Sequence, residues 1–173
     1  IVFARYTSGG SHVWSHGFGN TNIDRGYGVG FLPSGNTVLT GRFQISVDFG
    51  GGTRTSAGNG DVFVAEFDDA GAYVSDSRYG TTGEEYGTDL AVDGMGGYAI
   101  TGWLDLPLDF GSGAITSAGS YDVFVARLKE GTEAPLITSI VDIGNDEGRE
   151  VQVTFDASVH DGAASSTQVV SYE

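Results

Sequence analysis

Carboxylates in glycine-rich settings are the residues of this chain best placed to do chemistry. Asp61 and Asp122 each open the segment D-V-F-V-A, and each follows a turn containing T-S-A-G. Asp48 and Asp109 each open a D-F-G triplet, Asp24 has its counterpart in Glu85, and Asp68 and Asp69 stand side by side. A carboxylate beside a tight turn can accept hydrogen bonds from the turn N–H groups as an Asx-type cap. It can also join a calcium site, because Ca²⁺ takes several carboxylate and carbonyl oxygens. Capping is the preferred reading for Asp61 and Asp122. The alternative makes Asp61, Asp122, Glu85 and Asp89 calcium ligands, and no other cofactor is expected.

Other chemistries have less support. Cysteine is absent, which removes disulfides, thiolate metal sites and a Cys nucleophile. His12 and His16 are four apart and share a face of any strand. No third ligand stands near them, so they are read as surface histidines. His160 beside Asp161 is read as a solvated loop residue. Residues 142–148 are only loosely like a calcium-binding EF-hand loop: position three is Gly144 and position twelve is Val153. An acidic hairpin turn is the simpler account. No G-x-S-x-G elbow is present, and Ser56 and Ser117 are expected to cap their own turns. Acidic pairs for glycosidase work are plentiful, but no motif selects one. Trp14, Trp103, Tyr27, Tyr79, Tyr86 and Tyr121 are read mainly as core, with sugar stacking as the alternative.

The composition bounds the rest. Of 173 residues, 8 are Lys or Arg and 23 are Asp or Glu, a net charge of −15. Nucleic-acid backbones and anionic membranes need clustered cations and are not expected partners. No apolar run is long enough to span a bilayer. Glycine accounts for 29 residues and proline for 3, alongside 20 aromatics (10 Phe, 8 Tyr, 2 Trp). That mixture predicts many short strands joined by tight turns.

An internal repeat positions the carboxylates. Residues 35–67 align with residues 96–128 at an offset of 61, without a gap and with 16 of 33 positions identical. Each repeat predicts four strands. The first is Tyr27–Leu32 and its match Thr88–Asp93. The second is Thr37–Arg42 and its match Tyr98–Trp103. The third is Asp61–Phe67, matched by Asp122–Leu128 and by Ile1–Tyr6. The fourth is Ala72–Tyr79, matched by Ser11–Phe18. Gly35 and Gly96 are expected at positive φ in the turn between the first two strands. The third strand is apolar on both faces and must be covered on both sides. Four-stranded antiparallel sheets stacked face to face satisfy that need, as in the blades of a β-propeller. In a ring of such blades, Glu84, Glu85 and Asp89 could face the axial opening. Residues 43–60 and 104–121 are read as an excursion on one rim, with the Phe of D-F-G plugging a blade edge.

The motifs Asp48–Gly52, Thr55–Gly58, Asp61–Phe67 and Trp14–Gly19 resemble the SBBP-type bacterial β-propeller repeat, in a variant seen in deltaproteobacteria. The resemblance covers residues 1–130. One departure is the absence of Trp from Val74–Gly80. The family shares a fold and no catalytic residues, so the resemblance implies no active site. The segment Asn145–Phe155 is similar to the opening of a fibronectin type III-like domain.

The expected organisation is all-β: propeller-type blades over residues 1–128, a linker at 129–135 and an incomplete immunoglobulin-like sandwich over 136–173. In the tail, strands are expected at Leu136–Ile143, Val151–Ala157 and from Val169. Two repeats cannot close a ring, so the chain is read as a piece of a longer polypeptide. The leading expectation is a non-enzymatic, secreted or cell-surface structural protein that presents its blades to protein or polysaccharide. The alternatives are an extracellular filament subunit joined through open strand edges, and the accessory binding region of a secreted hydrolase.

Overall fold

The computed structural model describes residues 1–93 and 95–129, and the strands at 137–142, 150–155 and 166–171. The described residues form antiparallel sheets and contain no helix. The first sheet pairs β1 (Val2–Tyr6) with β2 (His12–Gly17). The second has the order β3 (Arg25–Phe31), β4 (Thr37–Phe43), β7 (Asp61–Phe67), β8 (Tyr73–Tyr79). Between β4 and β7 the chain makes a two-stranded excursion, β5 (Ser46–Asp48) with β6 (Thr53–Thr55). The third sheet has the order β9 (Glu85–Val92), β10 (Gly97–Leu104), β13 (Asp122–Lys129). Its excursion is β11 (Leu108–Asp109) with β12 (Ala114–Ile115). A last sheet joins β14 (Ile137–Asp142), β15 (Glu150–Phe155) and β16 (Ser166–Ser171) in that order.

The central strands are where the sequence placed them, with ends moved by one to three residues. β7 has the expected bounds, whereas β3 begins at Arg25 and β9 at Glu85. The early start lets Arg25 pair with Arg42, and Tyr86 with Trp103, at the far end of each sheet. Thr37 opposes Phe67 across β4 and β7, and Tyr98 opposes Leu128 across β10 and β13. Thr40 Oγ1 donates to Phe63 O at 2.8 Å, and Thr101 Oγ1 donates to Phe124 O at 2.9 Å. Gly35 and Gly96 both have φ of 91°. The tail strand β16 lies three residues earlier than expected. Residues 130–136 and 143–149, which hold most of the predicted linker and acidic turn, lie outside the described residues, as do His160 and Asp161.

Two apolar layers hold the three sheets together. Phe3 and Trp14 of the first sheet meet Leu39, Phe43, Phe63 and Phe67 on one face of the second. Val38, Val62 and Val64 on its other face meet Leu90, Ile100 and Phe124 of the third. All seven residues of β4 and all seven of β7 are buried. The D-F-G phenylalanines do not plug an edge. Phe49 packs on Phe63 at 4.7 Å and on Phe18 of the first sheet at 5.1 Å. Phe110 packs on Phe124 at 4.9 Å and on Tyr79 of the second sheet at 4.8 Å. The β5–β6 and β11–β12 hairpins thus fold their phenylalanines into the layers between sheets, because burying a whole ring outweighs covering a strand end.

Glycine sets the spacing at one place. A Cβ on Gly28 would lie 2.6 Å from Leu90 N and 2.8 Å from Asp89 C, both backbone atoms of β9. β3 and β9 therefore touch backbone to backbone, and no side chain fits between them. Gly28→Ala is expected to cost about 3 kcal/mol, since overpacking here can be relieved only by moving a strand. Gly17→Ala, whose Cβ would meet nothing within 4 Å, should stay within about 0.5 kcal/mol of the parent. Urea denaturation of the two variants checks the contrast; equal midpoints would refute the close-approach argument.

Candidate functional site

The T-S-A-G turn exists to hold the aspartate that follows it. Ser56 Oγ donates to Asp61 Oδ1 at 2.7 Å and Ala57 N to Asp61 Oδ2 at 3.0 Å. Arg78 from β8 adds an ion pair to the same oxygen. In the next sheet Ser117 Oγ donates to Asp122 at 2.6 Å, as do Ala118 N at 2.6 Å and Gly119 N at 3.1 Å. Asp48 and Asp109 do the same for their D-F-G turns, each accepting two N–H groups on one oxygen. Asp68 accepts from Ala70 N and Ala72 N. Asp24 accepts from Asn20 N and Gln44 N. Asp69 pairs with Arg5.

Glu85 departs from its expected place. It is fully buried rather than facing an opening, and it accepts bonds from Thr81 N and Thr81 Oγ1. Burial raises its pKa against those two bonds, and the nearby carboxylates of Asp61 and Asp105 raise it further. Asp122 goes the other way: the Ser117 hydroxyl and the Ala118 and Gly119 N–H groups hold its carboxyl low, against the opposing effect of burial. Glu84 is half-buried and pairs with Arg42 at 3.4 Å. Asp89 is exposed on β9, with its Oδ1 accepting Leu90 N at 2.8 Å.

Of the four calcium candidates, Asp61 and Glu85 come near each other, while Asp122 caps a turn of the third sheet and Asp89 stands on the outer side of β9. Among the described residues, no group of three His, Asp or Glu side chains is arranged to hold a metal ion. Asp61 already takes three donors and Glu85 takes two, so a cation there would have to displace Arg78 and the Thr81 hydroxyl.

The histidines also divide. His12 is exposed and meets Tyr6 edge-on at 5.5 Å. His16 is not a surface residue. It is half-buried, stacks on Phe67 at 5.9 Å, and has Nε2 2.8 Å from Gly71 O. It shares that layer with Trp14, whose Nε1 donates to Asp69 O at 3.1 Å. Both aromatic groups thus anchor the first sheet to the β7–β8 turn.

One assembly was not foreseen as a unit. Arg42 lies over the ring of Tyr86 at 3.9 Å, across the junction between the second and third sheets. Tyr86 stacks on Trp103 at 3.9 Å and 19°. Tyr121 meets Trp103 edge-on at 4.8 Å and is 60% exposed. Arg42 NH2 is fixed by Asn59 O at 3.2 Å and by Glu84. The signal was in the repeat: Arg42 and Trp103 occupy the same position 61 residues apart, as do Arg25 and Tyr86 and as do Gly60 and Tyr121. A Cβ on Gly60 would run into the Arg42 guanidinium at 2.5 Å, so the glycine clears room for the cation where Tyr121 later adds a ring. Tyr79, in contrast, is half-buried against Phe110, and Tyr27 is exposed on β3.

The chain matches no protein-family model, and a search of curated proteins finds no match.

Two expectations follow. Asp61→Ala leaves Arg78 and two turn donors without their partner and should cost about 3 kcal/mol, measured by chemical denaturation. Glu85 binds its proton more tightly in the folded state than in the unfolded chain. The stability that Glu85 contributes is therefore full below the ordinary Glu range and is lost as pH rises from there through the raised value. Glu85→Gln, which can still bond Thr81, should flatten that fall in urea titrations carried upward in pH from the ordinary Glu range. An unchanged slope would mean that Glu85 does not carry the dependence.

Proposed function

We propose that this chain is a non-enzymatic binding scaffold of the cell exterior, built of consecutive propeller-type blades, whose rim aromatics hold a neutral polysaccharide. The observation that carries the reading is the Arg42–Tyr86–Trp103–Tyr121 stack. It crosses two sheets and ends in a tyrosine that is mostly in solvent. The exposed ring of Tyr121, held edge-on to Trp103, suits the apolar face of a sugar ring, with the phenol hydroxyl left to bond the sugar's own. A net charge of −15 repels acidic glycans and favours a neutral one.

The blade reading is supported by the shared register and turn chemistry of the second and third sheets, and by the apolar layers on both sides of the second. The non-enzymatic reading is supported by how the carboxylates are used: those of the T-S-A-G and D-F-G turns all accept bonds from their own turns. The external location rests on the resemblance to secreted bacterial repeat proteins. Calcium at Asp61, Asp122, Glu85 or Asp89 has no support in their geometry and is not part of the proposal.

The test is thermal melting and Trp fluorescence in the presence of neutral oligosaccharides such as cello-, xylo- and manno-oligomers. A ligand of the folded state raises the midpoint in proportion to its concentration. Tyr121→Ala should weaken binding about tenfold and leave the melting point of the free protein unchanged, because an exposed ring contributes little to the core. A protein whose melting and fluorescence ignore every neutral glycan, or a Tyr121→Ala variant that binds as well as the parent, would sink the proposal.

A further inference from the structure

Residues 80–84, Gly-Thr-Thr-Gly-Glu, carry the chain from β8 of the second sheet to β9 of the third, and none of them is apolar. Polar contacts hold the segment down. Asn59 N donates to Gly83 O at 2.9 Å, Glu85 N to Gly60 O at 2.8 Å, and Glu84 N to Asp105 Oδ1 at 2.9 Å. Glycines let it sit this close: a Cβ on Gly58 would lie 2.5 Å from Gly83 O, and one on Gly80 would lie 2.4 Å from Asp61 Oδ2. A stretch fixed by polar contacts, without an apolar anchor, opens at a lower free energy than the sheets around it.

The side chain tied to this segment is Glu85, which is 0% exposed. Both of its donors, Thr81 N and Thr81 Oγ1, belong to the segment. The charged groups around it are mostly acidic. Asp61 at the start of β7 is held by Arg78 of β8, and Glu84 by Arg42 of β4. Asp105, after β10, takes Glu84 N. Among the described residues, no arginine pairs with Asp105 or with Glu85. The repeat shows what is unusual here. At an offset of 61, the places of Glu85 and Asp105 are held by Asp24 and Gln44, one carboxyl and one amide. At this junction both are carboxyls, so an ionised Glu85 puts an unpaired charge into a closed site beside two others. Burial, and then the carboxylates of Asp61 and Asp105, raise its pKa against the Thr81 bonds.

We propose that residues 80–84 form a proton-operated clasp between the second and third sheets. With a proton on Glu85 the clasp is shut. Without it the segment lifts, the Glu85 carboxylate reaches water, and the sheets stay folded. Opening takes Glu84 off Arg42 and frees Tyr86, the next residue of β9, so the Arg42–Tyr86–Trp103 stack loosens. Once exposed, the carboxyl titrates as an ordinary Glu. The clasp therefore opens as pH rises from the ordinary Glu range to the raised value, and no further above it. The inference does not rest on the sugar reading, because none of its readouts needs a ligand.

Hydrogen exchange of the full chain, followed by mass spectrometry and corrected for the pH dependence of free amides, reads the clasp. We expect the protection of residues 80–86 to fall up to about tenfold per pH unit across that range, the effect of one proton, while β4 and β7 keep theirs. Near-ultraviolet circular dichroism of a Trp14→Phe variant, whose one remaining indole is Trp103, should lose intensity over the same range. Glu85→Gln should remove the pH dependence from both signals. Asp105→Asn leaves the Glu85–Thr81 bonds untouched and can still accept Glu84 N, so the fall should end at a lower pH. The second variant decides the matter if the first does not fold. The proposal is overturned by flat protection in the parent, by a fall that β4 and β7 share, or by a Trp103 signal indifferent to pH. An unaltered profile in Glu85→Gln or in Asp105→Asn overturns it as well.

Discussion

β7 has no exposed residue and hydrogen-bonds along both edges, to β4 and to β8. A strand of that kind has value only inside a stack, because each apolar face must meet another sheet. Val62 and Val64 look toward the third sheet, and Phe63, Ala65 and Phe67 look toward the first. Neither face is wide enough to close on itself. The arrangement of the described residues follows from that single requirement: sheets stacked face to face, hairpins that tuck a phenylalanine into each layer, and a glycine strand where two backbones must touch.

Buried charge is handled by the same economy of local contacts. An acidic chain cannot rely on oppositely charged neighbours, since its 8 basic residues face 23 acidic ones. Most of its structural carboxylates therefore take N–H and hydroxyl donors from their own turns, within five residues. Such bonds form with the turn and ask little of the rest of the chain. The few arginines are spent where two segments distant in sequence must be tied. Arg78 reaches Asp61, Arg42 reaches Glu84, and Arg127 reaches Asp93 at 2.7 Å. Glu85 is the exception to easy accounting, a carboxyl shut in with only Thr81 and with two acidic neighbours.

Much of this was legible before any coordinates. The offset of 61 placed the strands along the chain, the positive φ of Gly35 and Gly96, and the capping role of Asp61 and Asp122, because each depends on local pattern. What failed depends on distant packing. Phe49 and Phe110 read as edge plugs because no sequence rule says which sheet a hairpin folds over. His16 read as a surface residue because its partners, Phe67 and Gly71, lie more than fifty residues away. Glu85 read as open to an axis because its place at a strand start says nothing of what covers it. The stack on Arg42 was divided among separate residues, since it joins two sheets through positions that differ in type at each repeat.

That last difference separates scaffold from surface. Between the two aligned repeats, Thr40 and Thr101 and Asp48 and Asp109 keep their type and their bonds, and Asp61 and Asp122 keep their type and their bonds to the serine and alanine of their turns. The rim positions do not: Arg25 gives way to Tyr86, Arg42 to Trp103 and Gly60 to Tyr121. Replacing a cation by a ring at a packed position would normally cost stability. Here each replacement is absorbed across the sheet junction, because a guanidinium and an indole can both lie flat on Tyr86. A frame that tolerates such exchanges at its edge can change what it displays while leaving β4, β7, β10 and β13 as they are. The chemistry that distinguishes the second sheet from the third therefore resides in these edge positions.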